Sequence, residues 1–155
     1  MDTIKLPITM DNTYDNEDSE LCNNCARRID FPSVNKTGES LESFTVEITA
    51  LKELKEHENV VKLLWWRLDA TQAFIVLEAA EMDFYDHLAE RETVLSQEEI
   101  FKFTSQLSRA LHHIHSMGFV HGDVKLENML LFPDDVVKLS DFGACCAPKN
   151  ASFGR

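Results

Sequence analysis

The stretch FVHGDVKLENMLLFPDDVVKLSDFGA, residues 119–144, decides how this chain is read. Two short apolar runs, Met129 to Phe132 and Val136 to Leu139, flank Pro133-Asp134-Asp135, and this spacing predicts a tight hairpin. Before the hairpin, a short loop gathers His121, Asp123, Lys125 and Asn128; after it stand Asp141, Phe142 and Gly143. The hairpin therefore joins the two segments richest in chemistry.

Upstream of the loop, Ser96 and Glu99 have capping-box spacing, which predicts a helix start. Ile100, Phe103, Thr104, Leu107, Leu111 and Ile114 form its expected inner stripe, and the helix is expected to stop around Met117-Gly118. Farther back, Val60 to Leu68 and Ala73 to Leu77 are rich in Val, Ile and aromatic residues. They read as two strands joined through Asp69-Ala70-Thr71-Gln72. Before them, Leu41, Phe44, Ile48, Leu51 and Leu54 recur at three- and four-residue steps, as on a helix ending near His57. Glu47 lies at the edge of that stripe. Its neighbours one turn onward are Ala50 and Leu51, so a partner for an inward-turned Glu47 has to come from another element. The CARRIDF run at 25–31 reads as a further strand, and residues 1–24 as a flexible acidic segment with little to bury.

The length of 155 residues suits one domain, and 44% hydrophobic residues suffice for a core. A formal net charge of −12 argues against nucleic acid as a partner, since phosphate binding relies on Lys and Arg. No apolar run approaches the roughly 20 residues of a membrane helix, and the acidic start lacks the pattern of a secretory signal. The expectation is an intracellular protein without membrane contact. Cys22-x-x-Cys25 has the spacing of a zinc-ligand pair, but adjacent Cys145 and Cys146 point to opposite faces of an extended segment. Reduced thiols are the simpler reading.

The loop and the Asp-Phe-Gly tripeptide, taken together and in this order, resemble the catalytic and metal-binding loops of the eukaryotic-type protein kinase family, with Lys125 similar to its serine/threonine members. The resemblance implies an α+β, two-lobed protein kinase-like fold. It also implies ATP and Mg2+ as cofactors, with Asp123 as the catalytic carboxylate, Lys125 as the charge-neutralising cation, and Asn128 and Asp141 as metal ligands. It extends upstream. VEITALKELKEHENVVKLL resembles the helix that carries the ion-pairing glutamate, here Glu47, and AFIVLEAAEMDFYDHL resembles the hinge. That implies Leu77 as gatekeeper, Glu78 and Ala80 as backbone contacts to adenine, Asp83 as a ribose contact and Leu130 as a further cofactor contact. For Asp83, stabilisation of a helix N-terminus is an equal alternative. Leu51, Leu63, His121 and Phe142 match the family's hydrophobic column; for His121, anchoring the loop is the preferred role over general base.

The pattern also breaks. The five glycines are Gly38, Gly118, Gly122, Gly143 and Gly154, so the first 37 residues hold no glycine-rich phosphate loop. Arg28 falls where the family has its phosphate-binding lysine, and its planar fork places charge differently from an ammonium. Gly122 replaces the arginine before the catalytic aspartate, so the pocket that reads a phosphorylated activation loop is not expected. The chain ends soon after Asp141, before any A-P-E element. The expectation is a partial kinase domain over 25–155, with a reduced N-lobe over 25–80 and an incomplete C-lobe over 81–155. The underside of the 96–117 helix would then be open to heteromeric contact. Two functional readings follow. One is phosphoryl transfer from ATP to Ser or Thr of a protein substrate; the other is a catalytically impaired kinase-like chain that binds or inhibits a protein partner.

Overall fold

A computed structural model of the chain describes residues 26–30, 41–54, 57–68 and 72–146, with only the backbone of 26–30, Leu41 and Gln72. Strand β1 (Ala26–Asp30) and β2 (Leu63–Leu68) pair antiparallel with the central β3 (Gln72–Leu77), so the first sheet runs β1-β3-β2. The β2–β3 hairpin has the expected pairing, with a register shift between Leu63 and Trp65; its connection, 69–71, lies outside the described residues. Strand β2 begins at Leu63 rather than at Val60, because Val60 makes an isolated parallel bridge to Leu139 of another sheet.

Helix α1 (Leu41–Leu54) turns Phe44, Ile48, Leu51 and Leu54 inward as its periodicity predicts, with Glu47 buried beside them; the Leu41 side chain lies outside the described structure. It ends three residues before His57. There, His113 Nε2–H donates to the Leu54 carbonyl at 2.6 Å and satisfies an acceptor of the last turn.

A second antiparallel sheet, β4-β5-β6, comprises β4 (Met82–Asp83), β5 (Met129–Phe132) and β6 (Val136–Leu139). The β5–β6 hairpin is as expected, whereas β4 is too short to be seen in the sequence pattern. Asp83 caps α2 (Phe84–Glu90) by accepting the Asp86 N–H at 2.9 Å. Helix α3 (Gln97–Ser116) starts with the full capping box: Ser96 Oγ accepts the Glu99 N–H at 3.2 Å, and Glu99 accepts the Ser96 N–H at 2.7 Å. It ends in a Schellman arrangement, with Gly118 at φ +81°, its N–H on the His115 carbonyl and the Phe119 N–H on the Ile114 carbonyl.

The expected inner stripe of α3 needs correction. The buried line is Phe103, Gln106, Ala110 and Ile114, with Leu107 and Leu111 half-buried, while Thr104 is exposed and Ile100 is 50% exposed. The helix is rotated because a polar residue, Gln106, is drawn onto β6: its Oε1 accepts the Val137 N–H at 2.8 Å, and its Nε2 donates to the Asp135 carbonyl at 2.9 Å.

Residues 57–62 weld the two sheets together. Asn59, 1% exposed, donates to Gln106 Oε1 at 3.0 Å and to the Val137 carbonyl at 2.8 Å, and accepts from Arg109 at 3.2 Å. Backbone bonds from Val61 N–H to the Leu139 carbonyl and from Leu139 N–H to the Asn59 carbonyl run beside it. The core thus continues from α1 and β3 through β6 into α3. No helix among the described residues is long and apolar enough to cross a membrane. Replacing Asn59 by Ala strands the Val137 carbonyl in the interior, so Asn59→Ala is expected to cost about 2–3 kcal/mol in chemical denaturation, far more than a surface Asn→Ala.

Candidate active site between helix α3 and strand β5

The loop from Phe119 to Asn128 leaves α3 and enters β5. Its centre is anchored by His121, 1% exposed, whose Nε2–H donates to the Ser140 carbonyl at 2.9 Å while Nδ1 accepts the Asp123 N–H at 3.3 Å. These two bonds require the neutral Nε2–H tautomer, and burial holds the His121 pKa below its usual value. A ring committed on both nitrogens anchors the loop and is not a proton carrier. Gly122 sits at φ +87°, and a Cβ there would come within 2.5 Å of the Ala144 carbonyl oxygen, so only glycine lets the loop lie this close to the segment after Asp141.

Asp123, Lys125 and Asn128 converge at the end of the loop. Lys125 Nζ lies 2.8 Å from Asp123 Oδ2. Asn128, buried after a 3-10 turn over Leu126–Asn128, donates from Nδ2 to both the Asp123 carbonyl at 2.8 Å and Asp123 Oδ2 at 3.1 Å. The Asn128 carbonyl accepts from the Ser140 N–H and hydroxyl, which ties the loop to the residue before Asp141. The hydrogen bond from Lys125 holds the Asp123 carboxyl below the usual carboxylate range and, reciprocally, raises Lys125. Asp123 is therefore a carboxylate at neutral pH, suited to orienting a hydroxyl more than to abstracting its proton.

Asp141 adopts a left-handed backbone, φ 61° and ψ 76°, and its Oδ1 accepts the Gly143 N–H at 3.3 Å. Phe142, fully buried, packs edge-on against His121 with ring centroids 4.8 Å apart, and α1 packs on the 142–144 turn. Leu51 and Leu63 line one cavity of about 370 Å³ beside α1. Asn128 and Asp141 bring hard oxygen donors from the two ends of the hairpin, a donor type that suits Mg2+. Among the described residues, no group of three or more His, Cys, Asp or Glu is arranged to hold a metal, and Cys22 and Cys25 lie outside them. Cys145 is buried, its thiol pushed up to about 11 by burial, and Cys146 is exposed.

The other expected site residues are spread around this centre. Glu47 is buried on α1, and Arg28 lies opposite Phe74 in β1 with its side chain outside the described part of the structure. Leu77 ends β3, and Ala80 lies in the link to β4. Leu130 pairs with Asp83 across β4 and β5 and packs on the core. The Asp83 carboxylate serves as the α2 cap, the alternative its position allowed. Glu78 holds a feature that sequence reasoning missed. Its carboxylate pairs with Lys138 Nζ at 2.7 and 2.8 Å and accepts the Lys62 N–H at 2.8 Å, bridging β2, the link and β6. The signal was the alternation of β6, which turns Lys138 away from buried Val137 and Leu139.

This geometry agrees with sequence comparison. The protein kinase domain family matches residues 22–153, and the chain belongs to that family. It is 38% identical over 97 residues to cyclin-dependent kinase F-3 of Oryza sativa subsp. japonica, covering 63% of this chain and 22% of that protein. To the human MAPK/MAK/MRK overlapping kinase it is 39% identical over 101 residues, 64% of this chain and 24% of the relative. To the maternal embryonic leucine zipper kinase of Danio rerio it is 35% identical over 113 residues, 72% and 16% respectively. The chain thus spans under a quarter of the length of each of these relatives.

Two histidines, His121 buried and His57 half-buried, make the folded chain sensitive to mild acid. Like His121, His57 is held below 6.5, chiefly by burial and then by stacked His113, with Arg109 acting in the same direction and Glu58 opposing; its Nδ1 accepts the Asn59 N–H. Below pH 6.5 the unfolded chain takes up protons that the folded chain refuses, so this stability is fully present above about pH 7 and is lost as pH falls. The melting temperature is expected to be level from pH 8 to 7 and to drop between pH 6.5 and 5.5, above the range in which ordinary carboxylates titrate.

Proposed function

We propose that this chain carries the phosphoryl-transfer site of a serine/threonine protein kinase, using ATP and Mg2+ to modify a protein hydroxyl. The observation that carries the reading is the convergence of Asp123, Lys125 and Asn128 within hydrogen-bonding distance, beside Asp141 held in a left-handed turn. Asp123 orients the acceptor hydroxyl, and Lys125, next to it, neutralises charge on the group in flight. Asn128 and Asp141 would hold Mg2+, which when bound would supply positive charge to offset that on the transferred phosphate.

Around this centre, the Glu78 N–H already donates to the Lys62 carbonyl at 3.1 Å, so its contact to adenine comes from its carbonyl, with Ala80 supplying the second backbone contact. Leu130 forms the apolar floor under the base, and Asp83, whose Oδ1 caps α2, has its second carboxylate oxygen for the ribose. Arg28 stands in β1 where the family has its phosphate-binding lysine, and an arginine there gives a weaker grip on the phosphates than a lysine and a glycine-rich loop supply. A second reading, a catalytically impaired kinase-like binding partner, is favoured by the apolar face at the start of α3, where Ile100 is 50% and Phe101 76% exposed.

Phosphate transfer from Mg2+-ATP to a generic protein acceptor separates the two. Asp123→Asn is expected to lower transfer by roughly 10²–10⁴-fold while leaving the Mg2+-dependent thermal stabilisation by nucleotide intact. Asp141→Ala is expected to abolish both. A wild-type chain with neither transfer nor Mg2+-dependent stabilisation would leave the binding-partner reading in place.

A further inference from the structure

We infer that Ser43 is a positioning residue for Asp141, an inference that rests on the phosphoryl-transfer reading. Ser43 lies one helical turn before Glu47, on the stripe of α1 that faces the core. Its hydroxyl donates to the Gly143 carbonyl at 3.1 Å, across 100 residues of sequence. The same Gly143 donates its N–H to Asp141 Oδ1 at 3.3 Å. Gly143 is therefore held on one side by α1 and holds the Asp141 carboxylate on the other.

The fit between the two residues is close. A Cβ on Gly143 would lie 2.5 Å from Ser43 Oγ and 3.3 Å from Asp141 Oδ1, so the turn accepts glycine here and a small donor opposite it. Asp141 needs such support. A left-handed backbone disfavours an L-residue with a side chain and persists only where its surroundings impose it. The next residue, Phe142, is fixed by burial, and the turn closes with the Cys145 N–H on the Phe142 carbonyl at 3.0 Å. The Gly143 N–H and C=O belong to consecutive peptide units that meet at a Cα without a side chain, so the Ser43 bond to the second restrains the hinge from which the first reaches the Asp141 carboxylate. Ser43 thus couples the position of α1 to the metal-binding geometry at Asp141.

The test compares amide hydrogen exchange in the purified chain with that in Ser43→Ala and Ser43→Thr. Loss of one hydrogen bond is expected to speed exchange over residues 141–146 by about three- to tenfold in Ser43→Ala, leave α3 unchanged, and return toward wild type in Ser43→Thr, which keeps the hydroxyl. Unchanged exchange over 141–146, or equal acceleration there and in α3, overturns the inference. Binding of a non-hydrolysable ATP analogue supplies the second readout: Ser43→Ala is expected to weaken it severalfold with Mg2+ and not with EDTA. Equal weakening in both overturns the positioning role. A wild-type chain that binds no Mg2+-nucleotide refutes the phosphoryl-transfer reading instead, and hydrogen exchange still decides whether Ser43 holds the 141–146 segment.

Discussion

Asn59 places a primary amide in the interior, where each unmet hydrogen bond is costly, and the chain meets that demand with groups from two other elements. Gln106 of α3 and the Val137 carbonyl of β6 have to converge on Asn59, and this convergence sets how the first sheet and α1 sit on the second sheet. Apolar contact alone would tolerate sliding between these layers, since it is not directional. The buried amides make the junction directional. They also explain why α3 turns Gln106 inward and leaves Ile100 in solvent, against its hydrophobic pattern.

The candidate active site inherits its geometry from that junction. Strand β6 carries the Val137 contact and leads into Ser140, which in turn binds both the His121 ring and the Asn128 carbonyl. One hairpin therefore carries the registration of the core to the loop that holds Asp123 and Lys125, and to the turn that holds Asp141. Few of the polar groups involved are left to solvent choice. His121 is locked as a neutral tautomer, and Asn128 is buried with its amide directed at Asp123. The members left to solvent are the charged pair, Asp123 and Lys125, each with nearly half of its side chain exposed.

On the opposite side, the link between the sheets is held by ion pairing rather than by apolar packing. Glu78 reaches both Lys138 on β6 and the Lys62 backbone on the approach to β2, and Lys138 also lies over the Phe132 ring with 4.7 Å to the centroid. An ion pair that is mostly buried and further hydrogen-bonded resists rupture more than an exposed pair. The link is thus fastened at two points, Asn59 behind and Glu78 at the side.

Much of this was legible in the residue pattern. The β5–β6 hairpin announced itself through Pro133-Asp134-Asp135 between apolar runs, α3 through its capping box, and α1 through a stripe at helical spacing, because each of these signals is local and arises within a few residues. The spacing of Asp123, Lys125, Asn128 and Asp141 was equally plain, since the resemblance to the protein kinase family rests on those residue types in that order. What the sequence could not decide was which polar side chains would be buried. The pairing of Asn59 with Gln106, of Glu78 with Lys138 and of Ser43 with Gly143 spans 47, 60 and 100 residues of chain, respectively. A polar residue carries no mark of its partner until tertiary packing removes the water that would otherwise serve it, so these contacts belong to the folded structure alone.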